Sequence, residues 1–593
     1  MAVTTCTRAR RDRSRAGLGL LLVGLLAAGA SPGARAAAAV GAGVPPATRT
    51  PIRHVIVVIG ENRTYDNVFA TWTPPAGRHA RTLLSEGIVT PGGGCGPQAA
   101  RAVQRRATDT GHYRVTPPST GTYAILPRPD TTTGRGLPPN VPDSRFPADL
   151  PNCPYRITRY VPYTAYTGDP IHRFYQMWQQ VDGGRNDHWV WTANTAGFDN
   201  GAATPQPIHQ GDLQMGYYSM AAGDAPVLRF LADHYASSDN YHQAVMGGTG
   251  ANHIALGTGD AASYQDSAGR PVRPPANQVE NPDPRPGTDN SFTQDGYKGG
   301  SYSNCSDRSQ PGVGAIRAFL DEHHPFRGGD CAPGAYYLLN NYNPGYLADG
   351  RPAPLGPDQF TVPPQRFRTV GDALAARGVS WGYYGVGWNH GAPTPDYCGI
   401  CDPMQYATSI MTDPAQRRNL HGYDDFTAAV GAGSLPAVSF VKPGDDDGHP
   451  AYSTLSLFEG FTADVVRRVM AQPRLWADTA ILVTFDEGGG YYDSGYIQPV
   501  SFFGDGPRVP LLVVSPYARA GAVDHTYADH VSVLKFIERN WRLSPLSERS
   551  LDNLPDPQSG DDDPYVPRNA PAIGDLMGLF DFDHRRDPAP RLP

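Results

Sequence analysis

Two runs of β-branched apolar residues, HVIVVIG at 54–60 and ILVTF at 481–485, show no polar alternation, and each runs straight into an acidic pair, Glu61-Asn62 and Asp486-Glu487. A continuous apolar run reads as a strand buried on both faces, and open α/β sheets assemble their sites at the carboxyl ends of such strands. Two carboxylate-bearing strand ends far apart in sequence can therefore meet at one rim. Burying several carboxylates together is costly unless a cation neutralises them, and oxygen donors suit a hard divalent ion. The placement points to a metal-dependent hydrolase, against the plainer reading in which both pairs are N-caps and loop acids.

The rest of the chain alternates in kind. Helical periodicity is expected over HRFYQMWQQV at 172–181 and APVLRFLADHY at 225–235, and DNYHQAV at 239–245 reads as a strand. VGDALAARG, FTADVVRRVMA and HVSVLKFIERNW read as helices, and VSWGYYGV, LPAVSFV and VPLLVVSP as strands. Strands interleaved with helices indicate an α/β layered fold rather than a β-sandwich. Polar stretches rich in Gly and Pro, near 73–165 and 260–330, interrupt the pattern as insertions in one catalytic domain over 50–550. Residues 551–593 form an extended tail with one apolar patch, LMGLF.

Residues 1–36 read as an export signal, with five arginines from Arg8 to Arg15 before the apolar AGLGLLLVGLLAAGA and small residues at Ala34-Arg35-Ala36. No later stretch approaches the roughly 18 apolar residues of a membrane span. Losing residues 1–36, with six arginines and Asp12, moves the formal charge from −7 to −12, which argues against nucleic acid as a partner. The three lysines, Lys298, Lys442 and Lys535, read as a compositional bias without bearing on mechanism. Cys6 leaves with the signal, and the six remaining cysteines fit three disulfides in an oxidising compartment. Cys398-Gly-Ile-Cys401 lies in a turn-rich stretch and reads as a local structural bridge rather than a redox motif.

A third segment, GGTGANH at 247–253, follows the expected DNYHQAV strand. If a helix starts there, Thr249 stands beside free N–H groups suited to an anion, and a nearby metal would make its hydroxyl a nucleophile. The plain alternative is a glycine turn with a capping threonine. His172 at a helix start and His449 in DDDGHPAYS could hold a phosphoryl oxygen or protonate a leaving group. His188 and His390 flank tryptophans, where packing or surface roles serve as well, and Asp529-His530 reads as a helix cap.

HVIVVIGENRTYDNVF, DPIHRFYQMWQQVDGGRND, GYYSMAAGDAPVLRFLADHY, GGTGANH, LPAVSFVKPGDDDGHPAYS, TFDEGGGYYDSGYI and HTYADHVSVLKFIERNW resemble, in order, the bacterial phosphoesterase family of phosphatidylcholine-type phospholipases C and AcpA-like acid phosphatases. The resemblance spans about 50 to 545 and implies a three-layer, doubly wound, alkaline phosphatase-like sheet with helices on both faces and long loop insertions. By similarity Glu61, Asn62, Asp486 and Glu487 bind one divalent ion (Mg, Ca, Mn or Zn) together with Thr249. Thr249 is then the nucleophile that forms a phosphoenzyme, and His172 and His449 contact the phosphoryl group. Asn252, His253 and Asp402 are the further substrate-binding positions implied.

The resemblance is incomplete at four places. Acid phosphatases of this branch usually carry serine where Thr249 stands, whereas the phospholipases commonly use threonine. The branch's paired histidines are replaced near Cys401-Asp402, Asp493-Ser494 stands where phospholipases often show Asp-His, and the extra C-terminal β-domains of the phospholipases have no counterpart. The threonine leaves the subfamily open, while the shorter chain favours a phosphatase-like architecture, and the chain reads as an exported phosphatase acting on a phosphate ester. The alternatives are a phospholipase C in transient contact with lipid surfaces, for which Trp388, Tyr491 and Tyr492 are candidate exposed aromatics, and a non-catalytic binding protein of the same fold.

Overall fold

The first apolar run forms strand β1 (His54–Gly60), and every residue from Val55 onward is buried, which is why the run carries no polar alternation. The structure is a computed structural model that describes residues 46–109, 111–131, 141–195, 212–284, 299–323, 331–450, 452–560, 563–588, 590 and 592. The segment 1–36, expected as an export signal, lies outside the described residues. After β1 come helices α1 (Phe174–Val181) and α2 (Pro226–His234), strand β2 (Ala236–Ser238), and helices α3 (Thr249–Thr258) and α4 (Val370–Ala376). Strands β3 (Trp381–Gly385) and β4 (Leu420–Gly422), helix α5 (Tyr423–Ala432), strand β5 (Val438–Lys442) and helix α6 (Leu455–Met470) follow. Strands β6 (Thr479–Phe485), β7 (Leu511–Val514) and β8 (Val523–Asp524) and helix α7 (Val531–Trp541) complete the main elements.

These strands make one eight-stranded sheet in the order β4-β3-β5-β1-β6-β7-β2-β8. Only β7 runs against the others. Helices α2, α5 and α6 pack together as one layer, and α3, α4 and α7 as another, giving the α/β architecture with a mixed central sheet. Strands β5, β1 and β6 lie side by side and parallel, with Gly60 opposite Phe485. Their carboxyl ends therefore open on one rim, and the Asp486 N–H donates to Gly60 O at 3.0 Å.

The segment expected as one strand over 239–245 is shorter and displaced. Sheet pairing is confined to Ala236–Ser238, and Tyr241–His242 pairs separately with Ala528–Asp529. The break is local: the Asn240 N–H turns to Ser238 Oγ (3.1 Å), and Asn240 Nδ2 donates to His525 O and Tyr565 O. Residues beyond 551 are irregular yet held against α7, with Lys535 Nζ donating to Leu554 O (2.8 Å) and Ile573 O (2.6 Å), and Phe580 stacked on Phe536. Three disulfides join Cys95 to Cys153, Cys305 to Cys331 and Cys398 to Cys401.

The loops leaving β1 and β6 are clamped by Arg508, which is buried just before β7. Its guanidinium takes Asp493 in two hydrogen bonds (Nε–Oδ2 2.9 Å, Nη2–Oδ1 3.0 Å) and lies 3.2 Å from Asp66 Oδ2. Asp66 lies in the short helix Tyr65–Phe69 that follows Asn62, and Asp493 follows Glu487 on the second loop, so one arginine ties together the segments that carry the two acidic pairs. Burial pushes Asp66 up to about 7 even with Arg508 opposing it. Arg508→Met leaves two buried carboxylates uncompensated and is expected to lower stability by about 3–5 kcal/mol. Chemical denaturation of the two proteins at neutral pH measures this, and an unchanged midpoint would contradict the clamp.

Candidate metal centre

The chain turns abruptly after β1. Asn62 has a left-handed backbone (φ 61°), a conformation asparagine tolerates better than most residues, and its N–H donates to Asp486 Oδ1 at 3.2 Å. On the opposite loop Gly489 (φ 58°) passes so close that a Cβ would stand 2.4 Å from Asn62 Cβ, which explains the glycine run after Glu487. The two acidic pairs are thus pressed together by backbone that a bulkier sequence could not adopt.

Thr249 is the first residue of α3, and Gly248 ahead of it is extended. Asn252 holds the turn: its Oδ1 accepts from Val245 N–H (2.9 Å), and its Nδ2 donates to Val245 O, Gly247 O and Gly248 O. Its polar atoms are spent on the backbone beneath Thr249. Thr249 Oγ1 reaches Glu61 Oε2 at 3.3 Å and Glu487 Oε1 at 3.2 Å. Glu61, Asn62, Thr249, Asp486 and Glu487 are all buried.

This donor set fits a divalent ion. The hydrogen bonds of the Asn62 carboxamide depend on which of its two terminal atoms is the oxygen. In one case, its nitrogen donates to Glu61 Oε2 (3.2 Å) and Asp486 Oδ1 (3.3 Å), and its oxygen accepts from His449 Nε2 (3.0 Å). In the other, its oxygen joins those carboxylate oxygens, an arrangement only a cation among them would favour, and Nδ2 lies 3.5 Å from His172 Nε2. Asp486, Asn62, Glu61, Thr249 and Glu487 then form a chain of oxygens with 3.2–3.3 Å steps. Oxygens at neighbouring corners around an ion bonded at roughly 2.1–2.5 Å stand about 3.0–3.5 Å apart. Asp486 Oδ2 is buried with no hydrogen-bond partner among the described residues. Burial, Glu61 and Glu487 together push the Asp486 carboxyl well above the usual range.

The fixed counter-charge is Lys442, one of the lysines expected to have no bearing on the chemistry. It closes β5, beside β1, and is 1% exposed, with Nζ 3.0 Å from Glu61 Oε1 and 3.3 Å from Asp447 Oδ2. Burial opposes its charge, yet Glu61, Asp447 and Asp486 outweigh burial and raise it. Burial would also raise Glu61, but Lys442, with His253 and His449, holds it below the carboxylate range. The signal was present in the sequence: LPAVSFVK is an apolar run ending in one charged residue, like the two acidic runs.

His172 is fixed by Nδ1 donating to Pro170 O at 2.7 Å, which turns Nε2 toward Glu487 Oε1 at 3.8 Å. Its ring meets that of His449 edge to face at 6.2 Å. Asp169, which sequence reading passed over, stands between them, 3.9 Å from His172 Nδ1 and 3.8 Å from His449 Nε2. His253 is buried with Nε2 3.8 Å from Glu61 Oε1. Cys401 Sγ, within its disulfide, lies 3.3 Å from the same oxygen. Asp402 is fully buried and faces its own loop, with Oδ1 accepting from Met404 N–H and Oδ2 from Tyr397 OH. Trp388, Tyr491 and Tyr492 are buried too, so none of them is an exposed lipid contact.

A family model described as the phosphoesterase family matches residues 52–544. Phospholipase C B of Mycobacterium tuberculosis is 24% identical over 544 residues, covering 85% of this chain and 76% of that protein. A probable acid phosphatase of Kluyveromyces lactis is 26% identical over 229 residues, 36% of this chain and 52% of that protein. Another phospholipase C relative is matched over only 42% of its own length. Among solved structures, an alkaline phosphatase superfamily protein from Vibrio parahaemolyticus aligns with a TM-score of 0.26 and 10% identity, over 54% of this chain and 62% of that one.

Burial pushes Asp402 up to about 7, against an ordinary aspartate near 4. The folded state then holds a proton that the unfolded state has released, so Asp402 lowers stability as pH rises from about 4 to about 7. Asp402→Asn mimics the protonated form. Denaturation curves at pH 5 and pH 8 should show the variant gaining on the wild type at the higher pH; a gap that does not change with pH contradicts the assignment.

Proposed function

The chain belongs to the phosphoesterase family, and on that premise we propose that it hydrolyses a phosphate ester with Thr249 as nucleophile and one divalent ion held by Glu61, Asn62, Thr249, Asp486 and Glu487. The observation that carries this reading is the contact of one buried hydroxyl, Thr249 Oγ1, with carboxylates from two separate strand ends. When bound, the ion supplies Lewis acidity that favours the threonine alkoxide and offsets charge on a phosphoryl oxygen.

The chain's own groups account for the remaining steps. The Thr249 hydroxyl proton passes to the Glu487 carboxylate, whose Oε1 is 3.2 Å from Oγ1. Oγ1 attacks phosphorus, the ester oxygen leaves with a proton from His449 or His172, and phosphate remains on Thr249. Water then attacks that phosphothreonine, giving up a proton to the histidine that served as acid, and Oγ1 leaves with the proton returned from Glu487. Asp169 stands within 4 Å of both rings and orients them. Lys442 holds Glu61 in register and keeps it ionised, as its 3.0 Å contact supports. Three disulfides support export to an oxidising compartment. The buried aromatics favour a phosphatase over an enzyme working at lipid surfaces.

Thr249→Ala is expected to abolish hydrolysis of a chromogenic phosphomonoester while keeping bound metal near the wild-type amount; turnover retained in that variant would sink the nucleophile assignment. Chelation should remove activity, and Asp486→Asn should lower metal content severalfold by elemental analysis, whereas a fully active metal-free preparation contradicts the site. The same assay run beside a phosphodiester and phosphatidylcholine separates the phosphatase reading from a phospholipase C.

A further inference from the structure

Helix α1, which begins next to His172, ends in a sharply turned loop, Asp182-Gly-Gly-Arg-Asn-Asp-His188. Asp182 (φ 47°) and Asn186 (φ 54°) are both left-handed, and the turn folds three side chains onto one another. Asp182 and His188 are 1% exposed and Asp187 is 7% exposed. His188 lies between the two carboxylates, with Nδ1 3.3 Å from Asp182 Oδ2 and Nε2 3.9 Å from Asp187 Oδ1. Neither ring nitrogen makes a hydrogen bond among the described residues, and Asp187 Oδ1 and Asn186 Oδ1 are likewise buried without a hydrogen-bond partner among them. One ligand atom from each of Asp182, Asp187 and His188 lies within 4.8 Å of the others.

The cluster is electrostatically mismatched as it stands. A neutral imidazole has one N–H, and between two carboxylates its other nitrogen must turn a lone pair toward an anionic oxygen. Arg185 (Nε 2.8 Å from Asp182 Oδ2) and Arg105 (Nε 3.1 Å from Asp187 Oδ2) are about half exposed and balance the carboxylates without reaching the ring. A cation bound by the ring and both carboxylates would remove the mismatch.

We propose that Asp182, Asp187 and His188 bind a second divalent ion of the zinc–manganese class, remote in sequence from the residues around Thr249 and structural in role. Two carboxylate oxygens and one imidazole nitrogen suit that class better than magnesium. The ion braces the turn by which α1 meets the helix Trp189–Thr195. The same turn is tied to the 73–165 insertion, because Arg105 N–H donates to Asp187 O (2.7 Å) and Gln104 Nε2 to Asn186 O (3.1 Å).

The test is zinc uptake by full-length protein stripped with chelator and refilled. Wild type should retain one more equivalent than folded His188→Phe or Asp187→Asn protein by elemental analysis, a difference that does not depend on what the Thr249 centre holds. Equal zinc content in wild type and a folded variant overturns the proposal. For the case in which the variants do not fold, zinc-edge anomalous diffraction from wild-type crystals in saturating zinc should show a peak enclosed by Asp182, Asp187 and His188. The absence of a peak there overturns the site.

Discussion

Three carboxylates, a carboxamide and a threonine hydroxyl are buried together at the carboxyl rim of one sheet, and their mutual repulsion constrains everything around them. Such a cluster is stable only where fixed positive charge is close. Lys442 supplies part of it through Glu61, while Asp486 keeps an oxygen with no hydrogen-bond partner among the described residues. In the proposed site a divalent ion would supply the balance, and the oxygens stand 3.2–3.3 Å apart along the chain from Asp486 to Glu487.

The fold meets that constraint by adjacency. Parallel strands β5, β1 and β6 deliver Lys442, Glu61 and Asp486 to neighbouring positions, and α3 brings Thr249 in from outside the sheet. The loops beyond the strand ends are irregular, so their geometry rests on specific ties. Arg508 joins Asp66 to Asp493, Asn252 fastens the glycine turn under Thr249, and the glycine run lets one loop cross the other at Asn62. Each tie is itself buried.

Much of this was legible in the sequence because strand ends are local features. The unbroken apolar runs located β1 and β6, and the residue after each run was necessarily at the rim. LPAVSFVK carries the same mark, an apolar run ending in one charged residue, and it places Lys442 at the rim even though the scarcity of lysine in this chain reads as a compositional bias. Asp169 left no comparable mark, since its place between His172 and His449 depends on how two loops meet. Asn252 and Asp402, which the resemblance implies as substrate-binding positions, turn their side chains to nearby backbone and to Tyr397, a choice decided by hydrogen-bond demand in turns. Trp388, Tyr491 and Tyr492 could have faced solvent or core with equal ease, and packing took all three inward.

The account stands or falls on Thr249 carrying the phosphoryl group. Ion-loaded protein mixed with a phosphomonoester, quenched in acid within one turnover and digested, can be searched by mass spectrometry for phosphate on the peptide containing residues 247–253. The account predicts phosphothreonine at Thr249 that is absent from chelator-treated protein and disappears as substrate is exhausted. Steady hydrolysis with no phosphate on Thr249, or with phosphate on a histidine instead, would contradict it.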